Sequence, residues 1–168
     1  MASNGSAALA DAYITLAGKS SPDNYTKFNS YYSNLKVIFL ERLAIQKDKL
    51  TLDILKKVDA DYNLTGTVDP ECKQRWFPIG IKAGYADVLE PAHKFISDQG
   101  RMKYLNPIYR ALLETDQKDL AVKWFNENID FYHPLAVASL KKLLGLDAPK
   151  SYLGQLAETV AEFVTTDM

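Results

Sequence analysis

Cysteine and histidine are nearly missing from this chain, with one cysteine, Cys72, and two histidines, His93 and His133, in 168 residues. A lone cysteine excludes an internal disulfide framework and any multi-cysteine zinc site, and it fits a reducing compartment. Neither histidine belongs to an H-E-x-x-H string or has a second histidine one helical turn away. The sequence therefore implies no metal site and no cofactor in this chain. Glycine-rich loops of the G-x-G-x-x-G or Walker type do not occur, which removes the warrant for nucleotide binding. No apolar run approaches the roughly 18 residues of a membrane span. Net charge is lacking too: 20 Lys and Arg against 21 Asp and Glu leave −1. Dedicated nucleic-acid and membrane-surface binders are usually basic, so neither partner is expected. The opening Met-Ala-Ser-Asn-Gly-Ser-Ala-Ala has neither the basic start nor the apolar stretch of a signal peptide, and a cytoplasmic location is the expectation.

What is present is helix. Apolar residues make up 47% of the chain and recur at helical spacing, with no sustained strand alternation. Leu9, Tyr13 and Leu16 form one stripe. Leu35, Phe39 and Leu43 form a second behind a Ser33 cap, and Leu52, Leu55 and Tyr62 a third behind a Thr51 cap. Asp69-Pro70-Glu71 is the clearest helix start: a capping side chain, a proline where its missing N–H costs nothing, then an acid facing the positive helix end. That helix is expected to run toward Ala83 with a kink or early break at Pro78 and Gly80. Val88, Leu89, Ala92, Phe95 and Ile96 carry the next stripe, stopped by Gly100 in a left-handed turn. Asn106-Pro107, Asp116 with Asp119, and His133-Pro134 open three more helices. Beyond Ala148-Pro149, the residues Leu153, Leu156, Val160 and Phe163 describe a final amphipathic helix. Short links force neighbouring helices to pack as antiparallel pairs, so the expected fold is all-α, a solenoid-like pile with no sequence period.

Chemistry is scarce. Cys72 has cationic neighbours, Lys73 and Arg75, but no histidine close in sequence, and it reads as an inert thiol. His93 reads as a helix-flank residue and His133 as a cap. Trp124-Phe125 and Tyr31-Tyr32 read as core and interface aromatics. The remaining distinctive spot is Gln99-Gly100-Arg101-Met102-Lys103, which joins two expected helices and sets two cations two residues apart. Arginine grips a carboxylate bidentately and lysine adds a point charge, so an anionic group fits here. A solvated loop whose cations compensate Asp98 or the preceding helix's C-terminal dipole fits the same residues.

That loop begins a resemblance. Arg75-Trp76, Tyr85, Ala92, Lys94, Asp98 through Lys103, Pro107, Leu112, Asp116, Ala121-Val122 and His133-Pro134 together resemble the C-terminal helical domain of leukotriene A4 hydrolase and its aminopeptidase relatives. The likeness is firmest over residues 70 to 140 and weaker back to Leu9. It implies a two-layered, right-handed solenoid of the ARM/HEAT kind, with about eight or nine helices. The implied division is a domain over 6–148 and an additional helix over 149–168. It also implies that Arg101 and Lys103, on the Gln99-Gly100 loop, bind a peptide's C-terminal carboxylate or a fatty-acid carboxylate. The implied partner is a zinc-bearing catalytic domain outside this chain, which would hold the metal and cut the peptide; some family members also hydrolyse a fatty-acid epoxide. This chain alone is then no enzyme. The competing reading is a free-standing helical adaptor that binds a protein partner.

Overall fold

The computed structural model describes residues 2–146; the amphipathic segment expected at 149–168 lies outside the described residues. Every regular element among the described residues is helical: α1 (Ala2–Leu16), α2 (Ser33–Ala44), α3 (Leu52–Tyr62), α4 (Pro70–Lys82), α5 (Leu89–Asp98), α6 (Met102–Leu113), α7 (Lys118–Asn128) and α8 (Pro134–Leu143). Two short 3-10 helices, Tyr25–Ser30 and Ala86–Val88, fill the connections before α2 and α5. α2 packs on α4, α4 on α6 and α6 on α8, while α1 meets α3 and α5 meets α7. Alternate helices thus form two layers, joined by contacts such as α1 with α2 and α6 with α7.

The expected stripes supply most of the core. Leu9 and Tyr13 of α1, Phe39 and Leu43 of α2, and Leu55 of α3 are buried. Tyr13, Phe28, Phe39 and Tyr62 meet as one aromatic cluster, Phe28 stacked on Tyr62 at 4.0 Å and Tyr13 edge-on to Phe39 at 5.9 Å. In α3 the buried face is Ile54, Leu55 and Val58, and Leu52 is exposed, because the first residue of a helix has no preceding turn to pack beneath it.

Three helix starts behave as expected. The Thr51 hydroxyl accepts from the Ile54 N–H, the Asp69 carboxylate from the Glu71 N–H at 2.9 Å, and His133 Nδ1 from the Leu135 N–H at 3.1 Å. Ser33 is no cap: it is the first residue of α2, and its hydroxyl donates to Asp69 Oδ2 at 2.7 Å, tying α2 to the start of α4. Asp116 does not open α7 either. It takes a left-handed conformation at φ 59° in the turn, and α7 begins at Lys118.

Proline sits inside two helices without ending either. α4 runs unbroken through Pro78 and Gly80 to Lys82. Gly80 is there for space: a Cβ on it would lie 2.7 Å from a methyl of Val88, so the 3-10 turn Ala86–Val88 sits directly against the α4 backbone. α6 starts at Met102, four residues before Asn106-Pro107, and encloses Pro107. A proline inside a helix strands the carbonyl four residues back, here that of Lys103. The Gln74 side chain of α4 supplies the missing donor, its Nε2 lying 2.8 Å from the Lys103 carbonyl oxygen.

Candidate functional site

The α5–α6 loop is built by a side chain rather than by a left-handed glycine. Gln99 turns extended at φ −150° and ψ 154°, ending α5 at Asp98. Its amide then serves both helices, with Nε2 donating to the Phe95 carbonyl at 3.3 Å and Oε1 accepting from the Arg101 N–H at 2.8 Å. Gly100 lies outside the left-handed region that the sequence pattern suggested, because Gln99 has already ended the helix. A Cβ on Gly100 would meet Tyr132 Cδ1 at an ordinary 3.5 Å, so the loop rests on the α7–α8 turn. Tyr132 is anchored from below, its hydroxyl donating to the Ile96 carbonyl at 2.6 Å and lying 3.0 Å from the Tyr109 hydroxyl.

Arg101 occupies the N-cap position of α6 with no side-chain cap, and α6 has no acidic residue in its first turn. A helix N-terminus carries a partial positive charge that is normally met by a capping oxygen or an acid. Here the same end carries two cations, both exposed. The Arg101 guanidinium and the Lys103 ammonium each lie 5.3 Å from the centre of the Tyr104 ring, which faces Phe95 at 5.4 Å. Among the described residues, no ion pair involves Arg101.

Lys103 is differently placed. Its Nζ donates to Glu71 Oε1 at 2.6 Å, and the Tyr104 hydroxyl donates to the same oxygen at 2.9 Å. The second oxygen, Glu71 Oε2, accepts from Arg75 Nη1 at 2.6 Å, and Arg75 also reaches Glu41 at 3.4 Å. The Lys103 and Arg75 donors hold the Glu71 carboxyl well below its ordinary range, at about 2. The sequence pattern assigned Glu71 only a favourable place at the α4 N-terminus. Its partners Lys103 and Tyr104 stand 32 and 33 residues away, and nothing in local spacing announces them.

A groove of about 450 Å³ adjoins this cluster, sharing Gln74 and Arg75 with it. Ala44, Pro78, Ile79 and Pro107 give it apolar walls and Lys47 and Lys82 charged ones. Residues from α2, α4 and α6 and from the α2–α3 connection, Asp48 among them, make it, and no motif marks it in the sequence.

The other candidate residues are structural. Burial, then the neighbouring Asp69 carboxylate, pushes the Cys72 thiol up to about 12. His93 stacks face to face on Trp124 at 4.6 Å and bonds Glu127 at 2.7 Å. No group of three or more His, Cys, Asp or Glu among the described residues could hold a metal ion, so these residues do not fit a zinc site.

Two stacked layers of helices define a helical domain whose α5–α6 loop leads into a doubly cationic helix start with no side-chain cap. Residues 31–144 match the family described as "Leukotriene A4 hydrolase, C-terminal". The chain is 33% identical over 134 residues to a protein of Neosartorya fischeri named "Leucine aminopeptidase 2", a match covering 80% of this chain and 22% of the relative. It is also 33% identical over 138 residues to a "Leukotriene A-4 hydrolase homolog" of Botryotinia fuckeliana, covering 80% of this chain and 21% of that protein. The chain belongs to the leukotriene A4 hydrolase C-terminal domain family, and it spans about a fifth of the length of these relatives.

Proposed function

We propose that this chain is the carboxylate-gripping C-terminal domain of a zinc aminopeptidase, with Arg101 as the principal anchor and Lys103 as the second charge. The observation that carries this reading is the start of α6: an arginine in the cap position, no acid in the first turn, and Lys103 two residues on. Helix dipole and the Arg101 cation repel one another there, an unfavourable arrangement that a bound anion relieves, while Lys103 already has Glu71 as its partner. Arg101 has an exposed fork with no carboxylate partner among the described residues and matches a carboxylate bidentately. Gln99 and Gly100 shape the loop, since the Gln99 amide is already committed to backbone groups on both sides.

In this reading a peptide's free C-terminal carboxylate docks on Arg101 and Lys103, and a catalytic zinc domain outside the chain cleaves at the N-terminal end. A fatty-acid carboxylate presents the same chemistry to the same two cations. Binding energy gathered at the remote end orients the reacting end, so its loss lowers turnover as well as affinity. In the full-length enzyme carrying this domain, Arg101→Ala is expected to cut kcat/KM for peptides by about 10²–10³-fold, because charge-assisted bonds of about 1.5–3 kcal/mol each are lost. Zinc content is expected to stay unchanged. Activity close to that of the unsubstituted enzyme would overturn the role of Arg101 and favour a domain that serves only as a protein scaffold.

A further inference from the structure

We infer that Glu71 is a positioning residue for carboxylate binding: it fixes the Lys103 ammonium at the start of α6, the helix end that also carries Arg101, and Arg75 offsets part of the charge that Glu71 would otherwise turn against the ligand. The inference rests on the carboxylate-binding reading above.

Lysine is a point charge on a flexible four-carbon stem, and an unheld ammonium must be ordered each time a ligand binds. Glu71 removes that cost by holding Lys103 Nζ at 2.6 Å. An ammonium has three N–H groups, and one bond to Glu71 leaves two for an incoming carboxylate. The Tyr104 hydroxyl, 2.9 Å from the same Glu71 oxygen, fixes the carboxylate from α6, while the centre of the Tyr104 ring lies 5.3 Å from each cation. A bare glutamate here would also repel the ligand, though less than it attracts the nearer lysine. Arg75, on the other Glu71 oxygen at 2.6 Å and shared with Glu41 at 3.4 Å, offsets part of that repulsion, so Glu71 can hold Lys103 without standing as a bare anion at the α6 start. The backbone is braced at the same point, because Gln74 of α4 holds the Lys103 carbonyl that Pro107 strands.

The alternative role for Glu71 has the opposite sign. As a mere competitor for Lys103, its removal would tighten ligand binding. The test uses the full-length enzyme with two peptides alike except that one ends in a free carboxylate and the other in an amide. Glu71→Gln is expected to raise KM for the free-carboxylate peptide about tenfold and to leave kcat/KM for the amide within about twofold, since only the former needs a placed ammonium. Glu71→Asp keeps the charge but withdraws it by one methylene, and an intermediate rise is expected; it also serves if Glu71→Gln fails to fold. A lowered KM, an unchanged KM, or equal effects on both peptides would each overturn the inference. Arg101→Ala, measured alongside, separates the two claims. If it abolishes the preference for the free carboxylate while Glu71→Gln leaves it intact, only the inference fails. If Arg101→Ala leaves the preference intact, the carboxylate-binding reading fails with it.

Discussion

A carboxylate shared by a lysine, an arginine and a tyrosine hydroxyl binds its last proton reluctantly, and Glu71 is held at about 2 against an ordinary 4.5. Because the folded value lies below the unfolded one, the stability this gives is complete above about 4.5 and is lost as pH falls toward about 2. Acid unfolding followed by circular dichroism is expected to show a flatter dependence on pH across that window for Glu71→Gln than for the unsubstituted chain. The opposite shift at Cys72, raised to about 12 by burial, makes it a poor thiolate at neutral pH, in keeping with the inert role read from its neighbours. At this scale the sequence showed which residues are chemically unusual but not what they touch. Arg101 and Lys103 are two residues apart and could be seen together. Glu71 and Lys103 are joined only by the stacking of α4 on α6.

Helices announced themselves where a cap and a proline coincide, as at Asp69-Pro70 and His133-Pro134. They were misplaced where a proline lies inside. Pro107 looked like a beginning because a local rule cannot know that Gln74, 29 residues before Lys103, will supply the lost donor. Gly80 looked like a weakness in α4 because nothing local shows Val88 folding back on it. Alanine in place of glycine in a helix interior ordinarily stabilises by about 1 kcal/mol. At Gly80 the sign is expected to reverse. The new methyl would sit 2.7 and 2.8 Å from the two methyls of a fully buried Val88, a branched side chain with little freedom to turn away. Overpacking of this kind costs about 1–3 kcal/mol, and thermal unfolding of Gly80→Ala should show Tm lowered by a few degrees. A raised Tm would mean that the Ala86–Val88 turn yields more easily than its packing implies.

Over the whole molecule, the pile is held most firmly in its middle. α4 packs against α2, α5 and α6, and α6 against α4, α5, α7 and α8, whereas α1 meets only α2 and α3 among these principal helix contacts. Amide hydrogen exchange is expected to be slowest in α4 and α6 and faster in α1, since local opening costs least where few buried contacts break. Equal protection in α1 and α6 would contradict that ordering. Arg75 and Lys103 lie on these two helices, and Arg101 at the start of the second. All-helical character was legible from periodicity alone; the family, and with it the two-layered arrangement, was legible from the Gln99 to Lys103 string and its flanking landmarks. The groove beside Arg75 was not, because its walls come from three separate helices and a connecting loop.

The stack of His93 on Trp124 has an optical consequence. The chain has two tryptophans, and they sit in unlike surroundings. Trp76 is sealed in the core with its indole N–H donating to the Thr65 hydroxyl at 3.0 Å, whereas Trp124 lies parallel to an imidazole at 4.6 Å. One indole lies against an imidazole and the other bonds a hydroxyl, so the two emitters respond to different disturbances. Light from the folded chain therefore distinguishes a disturbance where α5 meets α7 from one in the interior, and no dye need be attached to see it.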